Sequence, residues 1–233
     1  MEPKTLFWRG YRDALPLLVG VAPFGFVFGA LAVTAGMNLI EALGMSILVI
    51  AGSSQFVATT LIDDNAPVAI IVFTTFIVNL RHFLYSASIT EFVRPLNTGR
   101  KLLLGYLMVD EVFATAIRLK ETQDPTPQQW WWYFMGAGCN LASIWYLTSV
   151  AGAALGEVVS EDTADALGFT LPLVFTAIVV PMLVKRPALL AAVTASAAAI
   201  IFDPMPHKLS LIVAAGVGIV AGVLSEHRLH EVA

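Results

Sequence analysis

The sequence predicts an all-α integral membrane protein, a polytopic bundle of about seven or eight transmembrane helices, some of them broken at Pro or Gly. Three observations predict it. Hydrophobic residues make up 58% of the 233 and charged residues only 13%, about half the charged share of an ordinary soluble domain. Apolar stretches of about 15 to 25 residues recur from Leu15 to Leu224, each close to the length of a membrane-crossing helix. Within them apolar residues run on continuously rather than alternating with polar ones, which excludes the strands of a membrane barrel. The whole chain, 1–233, reads as one transmembrane domain, because no soluble domain fits between the stretches.

The expected spans are 15–35, 39–61, 67–90, 102–119, 130–155, 168–184, 188–202 and 208–224. The first follows a short polar start and is longer than the apolar core of a signal peptide, so it is expected to stay uncleaved. The second and third are runs of Ile, Val and Phe interrupted by small or hydrogen-bonding residues. The fourth carries an acidic pair at its centre. Trp130, Trp131 and Trp132 open the fifth, where an interfacial aromatic belt belongs. The sixth lies between the acidic segment GEVVSEDTADALG and the Lys185-Arg186 pair. The seventh is Ala-rich and short, so it either crosses or pairs with the eighth as a hairpin that does not.

Leu15-Pro16-Leu17 with Pro23 and Leu171-Pro172-Leu173 with Pro181 suggest a repeat starting near 15 and near 168, of the kind that places broken helices at a substrate site. Proline is also simply common in membrane helices. Gly25 and Gly29, Gly152 and Gly156, and Gly218 and Gly222 are spaced for close helix contact, and most of these seams are expected to be internal.

With the N-terminus inside, Lys4, Arg9, Arg12, Arg118, Lys120, Lys185, Arg186 and Arg228 collect on the inner side and Arg94, Arg100, Lys101 and Lys208 on the outer. The bias is inward, but the loop after the third span resists it. A net charge of -4 without clustered cations gives no footing for nucleic acid. The lone Cys139 allows no internal disulfide, and it is expected to pack rather than to anchor a thiolate metal site.

Ionisable and amide groups inside hydrocarbon cost a few kcal/mol each on insertion scales, so those retained are functional candidates. Three clusters stand out. Ser53, Ser54 and Gln55 form a polar run after Gly52 in the second span, suited to a zwitterion or, equally, to gluing helices. Asn79, Arg81 and His82 lie in the third span, with Tyr85 and Ser88 on the stripe of Arg81. Arg81 is suited to a substrate carboxylate, and the alternative is that it snorkels or neutralises a buried acid. Asp110 and Glu111 are adjacent and project about 100° apart, so they need separate partners, of which Arg81 is the natural one. His82 and either acid are candidates for proton coupling, and an ion pair is the competing account. No phosphate loop, HExxH, paired Cys and His set or GxSxG occurs, so no cofactor, metal or hydrolytic chemistry is expected.

At these clusters the chain resembles the AzlC family, the large subunits of bacterial branched-chain amino-acid exporters. The segments that carry the resemblance are LPLLVGVAPFGFVFGALAVTAG, MSILVIAGSSQF, VNLRHFLYSAS and VDEVFA, in that order. It is strongest over residues 10–120; beyond, GFTLPLVFTAIVVP and the Gly-rich last span match mainly in layout. The resemblance implies a multi-pass transporter subunit of the bacterial inner membrane that exports hydrophobic amino acids such as valine, leucine, isoleucine or methionine with a small AzlD-type membrane partner. Its motif positions here are Gln55, Asn79, Arg81, His82, Asp110 and Glu111. A small-solute or ion channel, the permease subunit of an ATP-driven system, and a membrane enzyme using the two acids are the alternatives the residues leave open.

Overall fold

The computed structural model of the protein describes residues 2–156, 176, 180, 183–205 and 209–232, and the side chains of all of these but 156, 211 and 228–232. Most of the sixth expected span, the acidic residues 157–168, the second Leu-Pro-Leu, Pro181 and Lys208 lie outside them, and so does the repeat expected near 168. The described residues are helical, without strands.

A long apolar rod opens the chain: α1 (Pro3–Asp13), a tight turn at Leu15–Leu17 that holds Pro16, and α2 (Leu18–Thr34). Pro23 is accommodated inside α2. The sequence reading started this element at 15; the helix begins a dozen residues earlier, with Pro3 in its first turn, where a missing N–H costs nothing. The rod continues for 32 residues.

The expected second span is two half-length helices, α3 (Leu39–Val49) and α4 (Gly52–Asp63). Asn38 caps α3 from both ends of a capping box with Glu41. Ile50 then takes a left-handed conformation, φ 40°, and Ala51 an extended one, so the chain turns back. Gln55 of α4 therefore donates to Ser46 of α3 across the bend, 3.3 Å, a contact that a straight helix would place about 13 Å apart along its axis.

The third expected span is bent but runs through, as α5 (Val68–Asn79), α6 (Arg81–Ser88) and α7 (Thr90–Val93). The fourth is again a hairpin. Its α8 (Thr98–Tyr106), capped by Asn97, runs inward, residues 107–109 turn, and α9 (Asp110–Thr122) returns. The contacts give the direction. Arg100 at the start of α8 donates to Gln128 at 2.6 Å, and at the other end of the hairpin Arg9 donates to Gln123 at 3.1 Å, so both feet lie at one end of the molecule.

The fifth expected span is α10 (Pro127–Gly156). It runs parallel to the opening rod. A Cβ at Gly29 would meet the Ser149 carbonyl and one at Gly152 the Phe26 carbonyl; Gly10 and Gly136 meet Tyr133 and Phe7 in the same reciprocal way. The Gly25/Gly29 and Gly152 seams are thus internal, and a second seam at Gly10 and Gly136 joins them. A side chain there forces two backbones apart, so Gly152→Val should cost about 3 kcal/mol, read as a large fall in the unfolding midpoint in detergent. Gly216→Ala, with open space around it, should leave the midpoint unchanged.

Finally α11 (Arg186–Ile201) and α12 (Leu209–Val232) form the expected terminal hairpin, with Gly218 and Gly222 seated on Ala195 and Ala191. At 16 residues α11 is about 24 Å long, shorter than a hydrocarbon core of about 30 Å.

Two consequences follow from the hairpins. First, the chain contains a repeat with an offset of fifty-nine residues: Thr34 and Val93 end a long element, Leu39–Asp63 and Thr98–Thr122 form hairpins capped by Asn38 and Asn97, and Val68 and Pro127 start the next. The two copies run in opposite directions. Second, the expected placement of Arg94, Arg100 and Lys101 across from the N-terminus is corrected. Glu91 pairs with Lys120, Arg100 lies over Trp131 at 4.6 Å, and Arg9 reaches Gln123, so this loop shares the end occupied by Arg9, Arg118 and Lys120. Of the Lys and Arg residues in 2–156, only Arg81 lies away from that end.

Candidate functional site

The two hairpin tips enter from opposite ends and meet beside the bend in the third element. There the backbone is interrupted three times, at residues 50–51, at Leu80 and at 107–109. No side chain caps the start of α4, α6 or α9, so unsatisfied backbone N–H groups and the positive ends of helix dipoles point into the same region. Asp110 and Glu111 stand in the first turn of α9, where a carboxylate is favoured, rather than halfway along a continuous span.

Arg81 and Asp110 form the central ion pair, Nη1 to Oδ2 2.7 Å. The Tyr85 hydroxyl donates to the other oxygen, Oδ1, at 2.8 Å. Asp110 is thereby held through both oxygens, and the tip of one hairpin is tied to α6. Glu111 is different: its carboxylate has no ion-pair partner among the described residues, accepts from its own backbone N–H, and faces the cavity at the crossing. Of the two acids it is thus Asp110 that pairs with Arg81.

His82 bridges two interruptions. Its Nδ1 lies 2.9 Å from the Asn79 carbonyl and its Nε2 2.9 Å from the Met108 carbonyl. Both partners are acceptors, so a neutral ring satisfies one contact and a doubly protonated ring satisfies both. The imidazole is a strut between α6 and the turn of the second hairpin. His82→Ala should loosen that turn, seen as faster amide exchange over residues 107–111 with the α2–α10 seam unaffected.

The cavity is lined by Ser53, Arg81, His82, Asp110 and Glu111 on its polar side and by Val21, Phe24, Leu141 and Trp145 on its apolar side. It is small, about 50 Å³, which is room for a few waters. A larger occupant requires the hairpin tips to part. Ser53 Oγ, Arg81 Nε and Trp145 Nε1 are buried polar atoms without a partner among the described residues, and all three belong to residues of this lining. Each such atom costs about 1–3 kcal/mol when unmet.

Of the predicted site residues, the structure brings Ser53, Arg81, His82, Asp110 and Glu111 to the cavity. Ser54, Gln55 and Asn79 stand behind it. Ser54 donates to Asn79 Oδ1 at 2.6 Å and ties α4 to α5, while the wholly buried Gln55 ties α4 to α3. Phe24, Leu141 and Trp145 escaped the sequence reading, since nothing in an apolar span marks one aromatic as lining and another as core. Tyr85 was visible on the stripe of Arg81.

The AzlC protein family profile matches residues 16–159. The chain is 29% identical to an uncharacterized membrane protein of Archaeoglobus fulgidus, over 97% of this chain and 94% of that one. It is 29% identical to the inner membrane protein YgaZ of Escherichia coli, covering 74% and 71%. It is 27% identical to the branched-chain amino acid transport protein AzlC of Bacillus subtilis, covering 80% and 73%. No solved structure matches the chain.

Proposed function

The chain belongs to the AzlC family of membrane proteins, and from that premise we propose that it is a multi-pass subunit of the bacterial inner membrane that exports hydrophobic, branched-chain amino acids as a secondary transporter. The observation that carries the proposal is the meeting of two oppositely directed helical hairpins at one cavity that holds an unpaired carboxylate beside an apolar wall. Interrupted helices at the centre of inverted repeats are how transporters expose backbone groups and charge to a solute in mid-membrane. The rod Pro3–Thr34, the bent element Val68–Val93 and α10 cross the bilayer; α3–α4 and α8–α9 each reach halfway, at about 16 to 18 Å for helices of 11 and 12 residues such as α3 and α4. The cation-rich end faces the cytosol.

In this reading Glu111 receives the substrate ammonium. Ser53, Arg81 Nε and the open start of α4 receive the carboxylate, and Phe24, Leu141 and Trp145 take the aliphatic side chain. Leu, Ile, Val and Met fit such a wall; a charged side chain finds no partner there. Glu111 also supplies the coupling. A lone carboxylate in hydrocarbon must be neutralised, by a proton or by the substrate ammonium but not by both, and that exclusion exchanges one for the other across the membrane. Arg81, Asp110, Tyr85 and His82 position the tips, and a small AzlD-type subunit is the partner. No catalytic step is required of any residue.

The test is efflux. Cells loaded with valine-containing dipeptides should release valine faster when this chain is produced with its small partner than when neither is present. Equal release sinks the branched-chain assignment. Trp145→Ala should weaken leucine more than alanine efflux, by about tenfold for about 1.4 kcal/mol of lost apolar contact.

A further inference from the structure

Between α1 and α9, at the cation-rich end, lies a second and much larger cavity of about 660 Å³. Its lower part carries Arg9, Arg12 and Arg118 against a single acid, Asp13. That acid is already engaged: the Tyr133 hydroxyl donates to it at 2.8 Å, and Arg9 lies 3.7 Å from it while donating to Gln123. Arg12 and Arg118 are exposed, and their guanidinium groups make no hydrogen bond or ion pair among the described residues. The upper part of the slot is apolar, formed by Pro16, Leu17 and Ala114, and Val19, two residues on from Leu17 in α2, is 81% exposed.

We propose that this slot is a binding site for the phosphate headgroup of an anionic phospholipid of the cytosolic leaflet, with an acyl chain lying against Leu17 and Val19. The polarity runs lengthwise in the order a lipid needs: guanidinium forks at the membrane surface and an exposed aliphatic strip above them. Guanidinium pairs match phosphate oxygens bidentately, and basic pockets between helices on the cytosolic side are suited to anionic headgroups. The two loose cations sit on the two walls of the slot, Arg12 on α1 and Arg118 on α9, so a shared phosphate bridges the opening rod to the returning arm of the second hairpin. The slot shares no lining residue with the substrate cavity, and the proposal does not depend on what that cavity carries.

The full chain in nanodiscs decides it. In wild type the unfolding midpoint should rise when phosphatidylglycerol or cardiolipin is added to phosphatidylcholine, and native mass spectrometry should find the anionic lipid retained. Arg12→Gln with Arg118→Gln should abolish both effects while leaving the midpoint in pure phosphatidylcholine unchanged. Retention of anionic lipid by that variant equal to wild type overturns the proposal, whether or not its midpoint has moved. An equal rise in the wild-type midpoint with inorganic phosphate in phosphatidylcholine overturns the lipid assignment in favour of a soluble anion.

Discussion

Glu111→Gln is expected to abolish transport without destabilising the protein. The neutral amide keeps the shape of the side chain and removes the single unpaired carboxylate at the hairpin crossing. Folding loses little, because no ion pair to that carboxylate among the described residues is broken and the amide oxygen can still accept from the residue's own backbone N–H. Transport loses both the ammonium ligand and the exchangeable proton. A fall of at least about 100-fold, worth about 2.7 kcal/mol in the transport barrier, is expected, with the unfolding midpoint equal to or above that of wild type. A variant that transports normally would remove Glu111 from the mechanism; one that unfolds would show its role to be structural.

Asp110→Ala should behave in the opposite way. It strips Arg81 and Tyr85 of their shared partner and leaves a guanidinium unpaired in the membrane. Loss of one member of a buried pair costs about 3–5 kcal/mol; with the two side chains 25% and 36% exposed, about 2 kcal/mol is the expectation. The companion variant separates structure from function. Arg81→Met combined with Asp110→Leu should regain most of the stability by apolar packing and still fail to transport, because the open carboxylate-binding face of Arg81 has gone with it. Recovery of transport in the double variant would make the pair a mere staple.

The contrast between these two neighbours was partly legible in the sequence. Adjacent acids on a helix cannot share a partner, and Arg81 was the only intramembrane cation available to them. What the residues could not reveal is that Asp110 starts a helix. Half-length helices such as Leu39–Val49 and Gly52–Asp63 are as apolar as a continuous span, and the turns between them, at Ile50-Ala51 and Leu107-Met108-Val109, contain neither Gly nor Pro. Of the prolines that suggested broken helices, Pro16 does interrupt the opening rod, in the tight turn between α1 and α2, whereas Pro23 sits inside α2.

Two signals for the hairpins were nevertheless present. Asn38 with Glu41, and Asn97, mark helix starts fifty-nine residues apart, a spacing that the Leu-Pro-Leu pattern obscured. The charges were the other. With eight alternating spans, Arg94, Arg100 and Lys101 fall on the wrong side; with two hairpins they join Arg9, Arg118 and Lys120, and the far end keeps Glu41, Asp63 and Asp64. The exception to the positive-inside pattern was a symptom of the fold. Gly10 and Gly136 were hidden for a simpler reason, since one glycine in each helix makes no spaced pair, and only packing shows that they face each other.

The same arrangement explains why the site is tight. Ile50 holds a left-handed backbone conformation that a β-branched residue adopts only under constraint, and the cavity beneath it admits little more than water. Ser53, Arg81 and Trp145 each leave a buried polar atom without a partner among the described residues at the same place.

The account stands on two half-length hairpins entering from opposite faces, and single-cysteine labelling in intact cells and in inverted vesicles tests that most directly. In a Cys139→Ser background, Asp64→Cys should react with a membrane-impermeant maleimide only from the outside, and Asn97→Cys only from the cytosolic side. Labelling of Asp64→Cys from the cytosol and of Asn97→Cys from outside, the pattern of simple alternating spans, would contradict it.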